Sequence, residues 1–127
     1  MNFYIRVGNE RQLLKEKNAV VYIRTASSEG AREEAQAQLD LIRDFASLNN
    51  IKIKKIYMDL GVSGINRYYQ KGLDNLLDVV KHNKIDYVLV TDASRISRNV
   101  SNYKDFETAL WRTGTHILPI SNVREMI

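Results

Sequence analysis

The sequence predicts an α/β fold: one three-layer domain with a mostly parallel four- to five-stranded sheet and helices on both faces. Three observations carry that expectation. Short apolar, β-branched runs alternate with longer amphipathic segments, the order that crossover connections between parallel strands produce. Two of the short runs, around Val20 and Val88, are apolar throughout, as strands covered on both faces must be. The connections that follow the strands are rich in Ser, Gly and Arg, the composition of loops rather than of core.

Residues 1–18 read as an N-terminal arm. Within it Phe3 to Val7 suits a short strand, and Glu10 to Lys17 is polar, with Leu13 and Leu14 alone to bury. Ala19 to Arg24 is a buried strand, ended by the small, polar stretch Thr25–Gly30. Ala31 to Leu48 is a helix: Ala35, Leu39, Ile42 and Ala46 recur at three- and four-residue spacing, and Leu41 and Phe45 widen the stripe. Asn49-Asn50 stops it. Ile51 to Met58 alternates isoleucines with lysines, a strand with one solvated face.

Glycines make Asp59–Asn66 a loop. After Gly72 a second helix runs from Leu73 to Lys81, with Leu73, Leu76, Leu77 and Val80 on one side. Asp86–Thr91 is a third strand, and Asp92–Asn99 another loop. A third helix follows from about Asn102 to Thr113, with Trp111 packed at its edge. His116–Ile120 is a fourth short strand. The domain proper thus spans residues 19–120, and 121–127 form a polar tail.

At 127 residues the chain suits one core rather than two. Hydrophobic residues at 44% and charged residues at 27% are ordinary for a globular domain. No apolar run is long enough to span a membrane. Arg6, Glu10, Arg11, Lys15 and Lys17 interrupt any signal-peptide core. The absence of cysteine excludes disulfides and thiolate zinc sites, and His82 and His116 are isolated, so no metal site is expected. The cytoplasm is the default compartment. A net charge of +4 and a pI near 9.4 are compatible with a polyanionic partner, though many proteins that bind none carry as much.

In parallel sheets ligands bind beyond the carboxyl ends of the strands. The loops there hold Arg24, Arg67, Arg95 and Arg98. Guanidiniums gathered in one crevice repel one another unless an anion sits between them, and the arginine fork matches a phosphate bidentately. Arg95 and Arg98, three apart, share a face on a helical turn. Arg24, Arg95 and Arg98 are therefore expected to converge on one anion-sized site. The plain alternative is that surface loops carry arginine for solubility.

Five motifs carry a resemblance. Val20-Val-Tyr-Ile-Arg-Thr-Ala-Ser-Ser28 looks like the opening of serine recombinases of the resolvase–invertase type, a strand ending in Tyr-x-Arg-Val-Ser. Gln38 to Ala46 is similar to that family's first helix, with its glutamine near the active site. Asp59-Leu-Gly-Val-Ser-Gly64 resembles an Asp-x-x-x-Ser-Gly loop, and Lys71 to Leu77 the Gly-Leu-x-x-Leu-Leu helix after it. Asp86 to Arg98 is similar to the strand and Asp-Arg-Leu-x-Arg motif of the family. The resemblance implies a resolvase-like fold and DNA cleavage by a serine hydroxyl that attacks a backbone phosphate. It also implies site-specific recombination through a phosphoserine link, with arginines stabilising the transferring phosphoryl group and no metal or nucleotide cofactor.

The chain departs from that pattern at its centre. Two residues after the strand arginine, where the family keeps its nucleophile, stands Ala26, which has no hydroxyl. A one-residue bulge would bring Ser27 into that place; the plain reading of Ser27 and Ser28 is a helix N-cap or loop filler. The arginine usual before Lys-Gly-Leu is Gln70, with Arg67 displaced upstream, and the aspartate before the arginine pair is Ser94. Arg24, Gln38, Ser63, Arg95 and Arg98 remain.

The resemblance makes Arg24, Gln38, Arg95 and Arg98 the catalytic frame. Ser63, Arg67, Tyr68, Tyr69 and Ser94 are the expected DNA contacts, the tyrosines as stacking platforms. The expected partners are DNA and, at most weakly, a second copy or other recombinase subunits. Two further functions stay open: a non-catalytic DNA-binding or assembly module that associates with active recombinases, and a flavodoxin-like binding domain. The arginine loops and the lack of a Gly-rich phosphate loop argue against the second.

Overall fold

The computed structural model describes residues 2–7, 10–13, 17–64, 69–122 and 124–126. The predicted strand at Ala19–Arg24 begins two residues earlier, as β3 (Lys17–Arg24), and every residue from Ala19 to Thr25 is buried completely. It is flanked by β4 (Ile51–Asp59) on one side and β5 (Tyr87–Val90) on the other, and β6 (His116–Pro119) completes a four-stranded sheet of order β4-β3-β5-β6. All three pairings are parallel.

The helices that join these strands are α1 (Ala31–Leu48), α2 (Lys71–His82) and α3 (Val100–Trp111). Side chains alternate across β3, so it feeds two cores. Ala19, Val21 and Ile23 meet Ala35, Leu39, Ile42 and Ala46 of α1. Val20 and Tyr22 meet Leu73, Leu76 and Val80 of α2 and Phe106 and Leu110 of α3. Three layers with helices on both faces result, as the periodicities predict.

The lysine-rich strand shows why its pattern is irregular. Ile51, Ile53 and Ile56 are spaced by two and then three, yet all pack on the α1 side. Ala19 pairs with Ile53 and Val20 with Lys55, so Lys54 is an extra residue, a bulge that returns Ile56 to the same face. The opposite face of β4 is not wholly solvated, because Tyr57 is buried there against α2 and α3. On α3, Trp111 does not pack at the helix edge as expected. It is 64% exposed, and Leu110 takes the core position.

Beyond the domain, β1 (Asn2–Val7) pairs antiparallel with both β2 (Glu10–Leu13) and β7 (Arg124–Met126). Part of the polar arm and part of the polar tail thus meet in a second, three-stranded sheet. Neither β2 nor β7 has the apolar alternation that reveals a strand in sequence.

Candidate functional site

The order β4-β3-β5-β6 reverses direction between β3 and β5, because the chain passes over one face through α1 and over the other through α2 and α3. In such sheets the crevice at the carboxyl ends of these two strands is the usual ligand position. The loop after β3 is Thr25–Gly30 and the loop after β5 is Thr91–Asn99. The loop after β4, starting at Leu60, is laced to both: Val62 N–H donates to the Thr25 carbonyl, and Arg98 N–H to the Gly64 carbonyl.

Arg24 holds the three together. Its Nε donates to the Arg95 carbonyl (3.0 Å), Nη1 to Val62 (2.9 Å) and Nη2 to Ser94 (2.6 Å). The side chain is closed off from solvent. Burial, reinforced by the nearby positive charges of Arg95 and Arg98, lowers its pKa from the ordinary arginine value. Gly64 lies directly against this guanidinium, where a Cβ would come within 2.6 Å of Nη2. The fork expected to face an anion thus faces carbonyls.

The other half of the crevice is built on the 3-10 turn Ala93–Arg95. Asp92 caps it, accepting from the Ser94 N–H (3.0 Å) and from the Ser94 hydroxyl. Burial alone would raise the Asp92 pKa, but the Ser94 hydrogen bonds and the Arg95 charge outweigh it and hold it below the ordinary carboxylate range. Arg95 lies 3.5 Å from Asp92 through Nε, and its Nη1 donates to Glu34 (3.1 Å) and to the Arg24 carbonyl (3.1 Å). That carbonyl also accepts from Gln38 Nε2 (3.0 Å), which brings the buried Gln38 of α1 into the group. Arg98 is exposed.

In the loop after β3, Ala26, Ser27 and Ser28 are all exposed. Neither serine caps α1. The N-cap is Gly30, in the left-handed region at φ 69°, with no side-chain cap, and Ser27 Oγ instead accepts from the Glu29 N–H within the loop (3.2 Å). A cavity of about 370 Å³ lies alongside, lined by Ser28, Gly30, Ala31, Arg32, Glu33 and Leu60.

The structure thus gathers Arg24, Gln38, Ser94 and Arg95 into one bonded cluster, with Arg98 joined to it through its backbone. Ser63 and Tyr69 are exposed on the neighbouring loop. Arg67 and Tyr68 lie outside the described residues.

Beneath these loops Tyr22 joins the motif residues Asp59 and Gln70 in a buried bonded group that sequence spacing does not reveal. The Tyr22 hydroxyl donates to Asp59 (2.6 Å) and accepts from Gln70 (3.2 Å), and Gln70 also donates to the Ile96 carbonyl (2.9 Å). Asp59 accepts from the N–H groups of Gly72 and Leu73, which fixes the start of α2. Burial first, and then the Asp59 carboxylate, push the Tyr22 pKa far up. One signal was present: a tyrosine in an otherwise aliphatic buried strand needs a partner for its hydroxyl.

Chemically, such a crevice can bind an anion and offset charge that develops on it. It presents no hydroxyl at Ala26.

A family model described as the resolvase N-terminal domain matches residues 19–125. Among solved structures, the chain is similar to the C-terminal catalytic domain of ISC1926 TnpA, an IS607-like serine recombinase, at 28% identity and a TM-score of 0.72. That match covers 80% of this chain and 65% of the other, so the chain spans somewhat less than two thirds of that structure. It is also similar in fold to the N-terminal catalytic domain of TP901-1 integrase (19% identity, TM-score 0.74, covering 84% and 79%). A resolvase family site-specific recombinase from Streptococcus pneumoniae matches likewise (22% identity, TM-score 0.72, covering 83% and 72%). No curated protein matches the chain.

Proposed function

The chain belongs to the resolvase N-terminal domain family, and from that premise we propose that it takes part in site-specific DNA recombination as a serine-recombinase-like domain impaired in cleavage. The observation that carries this reading is Ala26. It stands exposed in the loop that leaves β3, two residues beyond Arg24, where the family pattern calls for an attacking hydroxyl. Phosphoryl transfer to protein requires an oxygen in line with the leaving group, and a methyl group has none. What remains is a frame for holding a backbone phosphate: Arg95 and Arg98 as the reachable charges, Arg24 and Gln38 as the braces behind them. In this reading Ser63 and Tyr69, exposed on the loop after β4, are the DNA contacts. The compartment in this reading is the cytoplasm.

A second reading is favoured by a specific feature. All three bonds of the Arg24 guanidinium run to carbonyls, and Arg95 is paired with carboxylates. Arginines held this way by protein groups suit a non-catalytic module that binds DNA or associates with active recombinase subunits.

The test fuses the chain to a known DNA-binding domain and looks on a denaturing gel for a covalent adduct with a nicked duplex. The unaltered chain is expected to give none, since loss of a nucleophile commonly costs many powers of ten, and Ala26→Ser is expected to give one. Adduct from the unaltered chain that disappears with Ser27→Ala would make Ser27 the nucleophile. No adduct from either chain would favour the non-catalytic module.

A further inference from the structure

We propose that Glu34 is an internal competitor for the phosphate at Arg95, holding that arginine until nucleic acid displaces it. The inference rests on the reading of the crevice as an anion site. Arg95 is the arginine there that is both anchored and reachable: Arg24 is closed off, and Arg98 is exposed. Its Nη1 is held at 3.1 Å by a carboxylate oxygen of Glu34, which reaches across from the first turn of α1. Carboxylate and phosphate oxygens ask for the same N–H groups, so the Glu34 oxygen at Nη1 competes with a phosphate oxygen there.

The two carboxylates around Arg95 are not equivalent. Asp92 is fixed by the N–H and hydroxyl of Ser94 and sits at Nε, on the inner side of the fork. Glu34 has Arg95 as its side-chain partner, is 40% exposed, and hangs from a helix surface where rotation about its own bonds frees it. Arg95 keeps an anionic partner in either state, so the exchange itself leaves no buried charge uncovered. The displaced Glu34 carboxylate nevertheless stays beside the incoming phosphate and repels it. The structure thus carries a built-in reduction in affinity, which also keeps Arg95 from taking up stray anions.

The test uses the full chain, a short labelled DNA duplex of mixed sequence, and fluorescence anisotropy at moderate salt. Glu34→Gln is expected to tighten binding about threefold to tenfold, the scale of a partly exposed ion pair. Glu33→Gln, the same change in charge one residue earlier on an exposed position, is expected to stay within about twofold. Arg98→Gln is expected to weaken binding, which tests the anion reading itself. If Arg98→Gln weakens binding while Glu34→Gln does no more than Glu33→Gln, the competitor is overturned and the crevice stands. If neither Arg98→Gln nor Glu34→Gln has an effect, the crevice reading falls and takes the inference with it. Were Glu34 only a clamp between α1 and the 3-10 turn, Glu34→Gln would lower the melting temperature and weaken binding, the opposite sign.

Discussion

Two layers of the crevice contrast sharply. The inner layer, Tyr22, Arg24, Asp59 and Gln70, is buried, and each member is hydrogen-bonded to at least two partners on other elements. The outer layer, Ala26, Ser27, Ser63 and Arg98, is exposed. Polar groups in the inner layer cannot be left unpaired, because burial without a partner is costly. They therefore act as the framework that fixes three loops at the ends of β3, β4 and β5. Groups in the outer layer are bound by no such condition, because water reaches them. An arginine is accordingly read by its layer: Arg24 is structural in these contacts, and Arg98 is available.

The sharpest way to break that contrast is to remove one arginine from each layer. Arg24→Met leaves the carbonyls of Val62, Ser94 and Arg95 without their donor. It is expected to cost about 3–5 kcal/mol of stability, the scale for dismantling a buried charged network. Arg98→Met is expected to stay within about 0.5 kcal/mol, as for an exposed substitution. Urea denaturation of the two variants checks this, and equal midpoints would erase the distinction. A smaller effect belongs to Tyr22→Phe, which deletes one donor to Asp59 and one acceptor for Gln70. Its expected cost is about 1–3 kcal/mol, with the helix signal of α2 fading along with its anchor. A variant as stable as the parent would show that water replaces the hydroxyl.

The layers also differ in how far the sequence disclosed them. Apolar periodicity marked the four core strands and three helices, because burial on one or two faces leaves a spacing of two or of three to four. It marked α1 to the residue. It did not disclose β2 or β7, whose residues have no apolar alternation, nor that Lys54 is a bulge until Val20 was seen paired with Lys55. The arginines were legible as a group because strand-end loops converge. That Arg24 turns inward was not, since a side chain's direction depends on which carbonyls lie within reach, and those belong to Val62 and Arg95, far along the chain. Asp59 and Gln70 stand in recognisable motifs, but their bonds to Tyr22 are not legible for the same reason: the partners are distant in sequence and close only through the sheet.

Asp92 lies between the layers, and strong acid loosens it. Its folded pKa is depressed: burial works against this, but the Ser94 hydrogen bonds and the Arg95 charge prevail. A carboxylate with a depressed folded pKa contributes stability that is fully present above its unfolded value and is lost as pH falls through the folded one. The unfolded value for aspartate is about 3.9, so the contribution is intact at neutral pH and declines below about pH 4. With 43% of its side chain exposed, solvent screens the interaction with Arg95, and the effect is small beside that of Arg24. Asp92→Asn is therefore expected to lower the urea midpoint slightly at neutral pH, and the gap from the parent should close on acidification to about pH 3. A gap that stays constant with pH would assign the role of Asp92 to its capping geometry alone, which asparagine also supplies in part. A gap that widens in acid would mean that the protonated side chain, not the carboxylate, is the form the 3-10 turn holds.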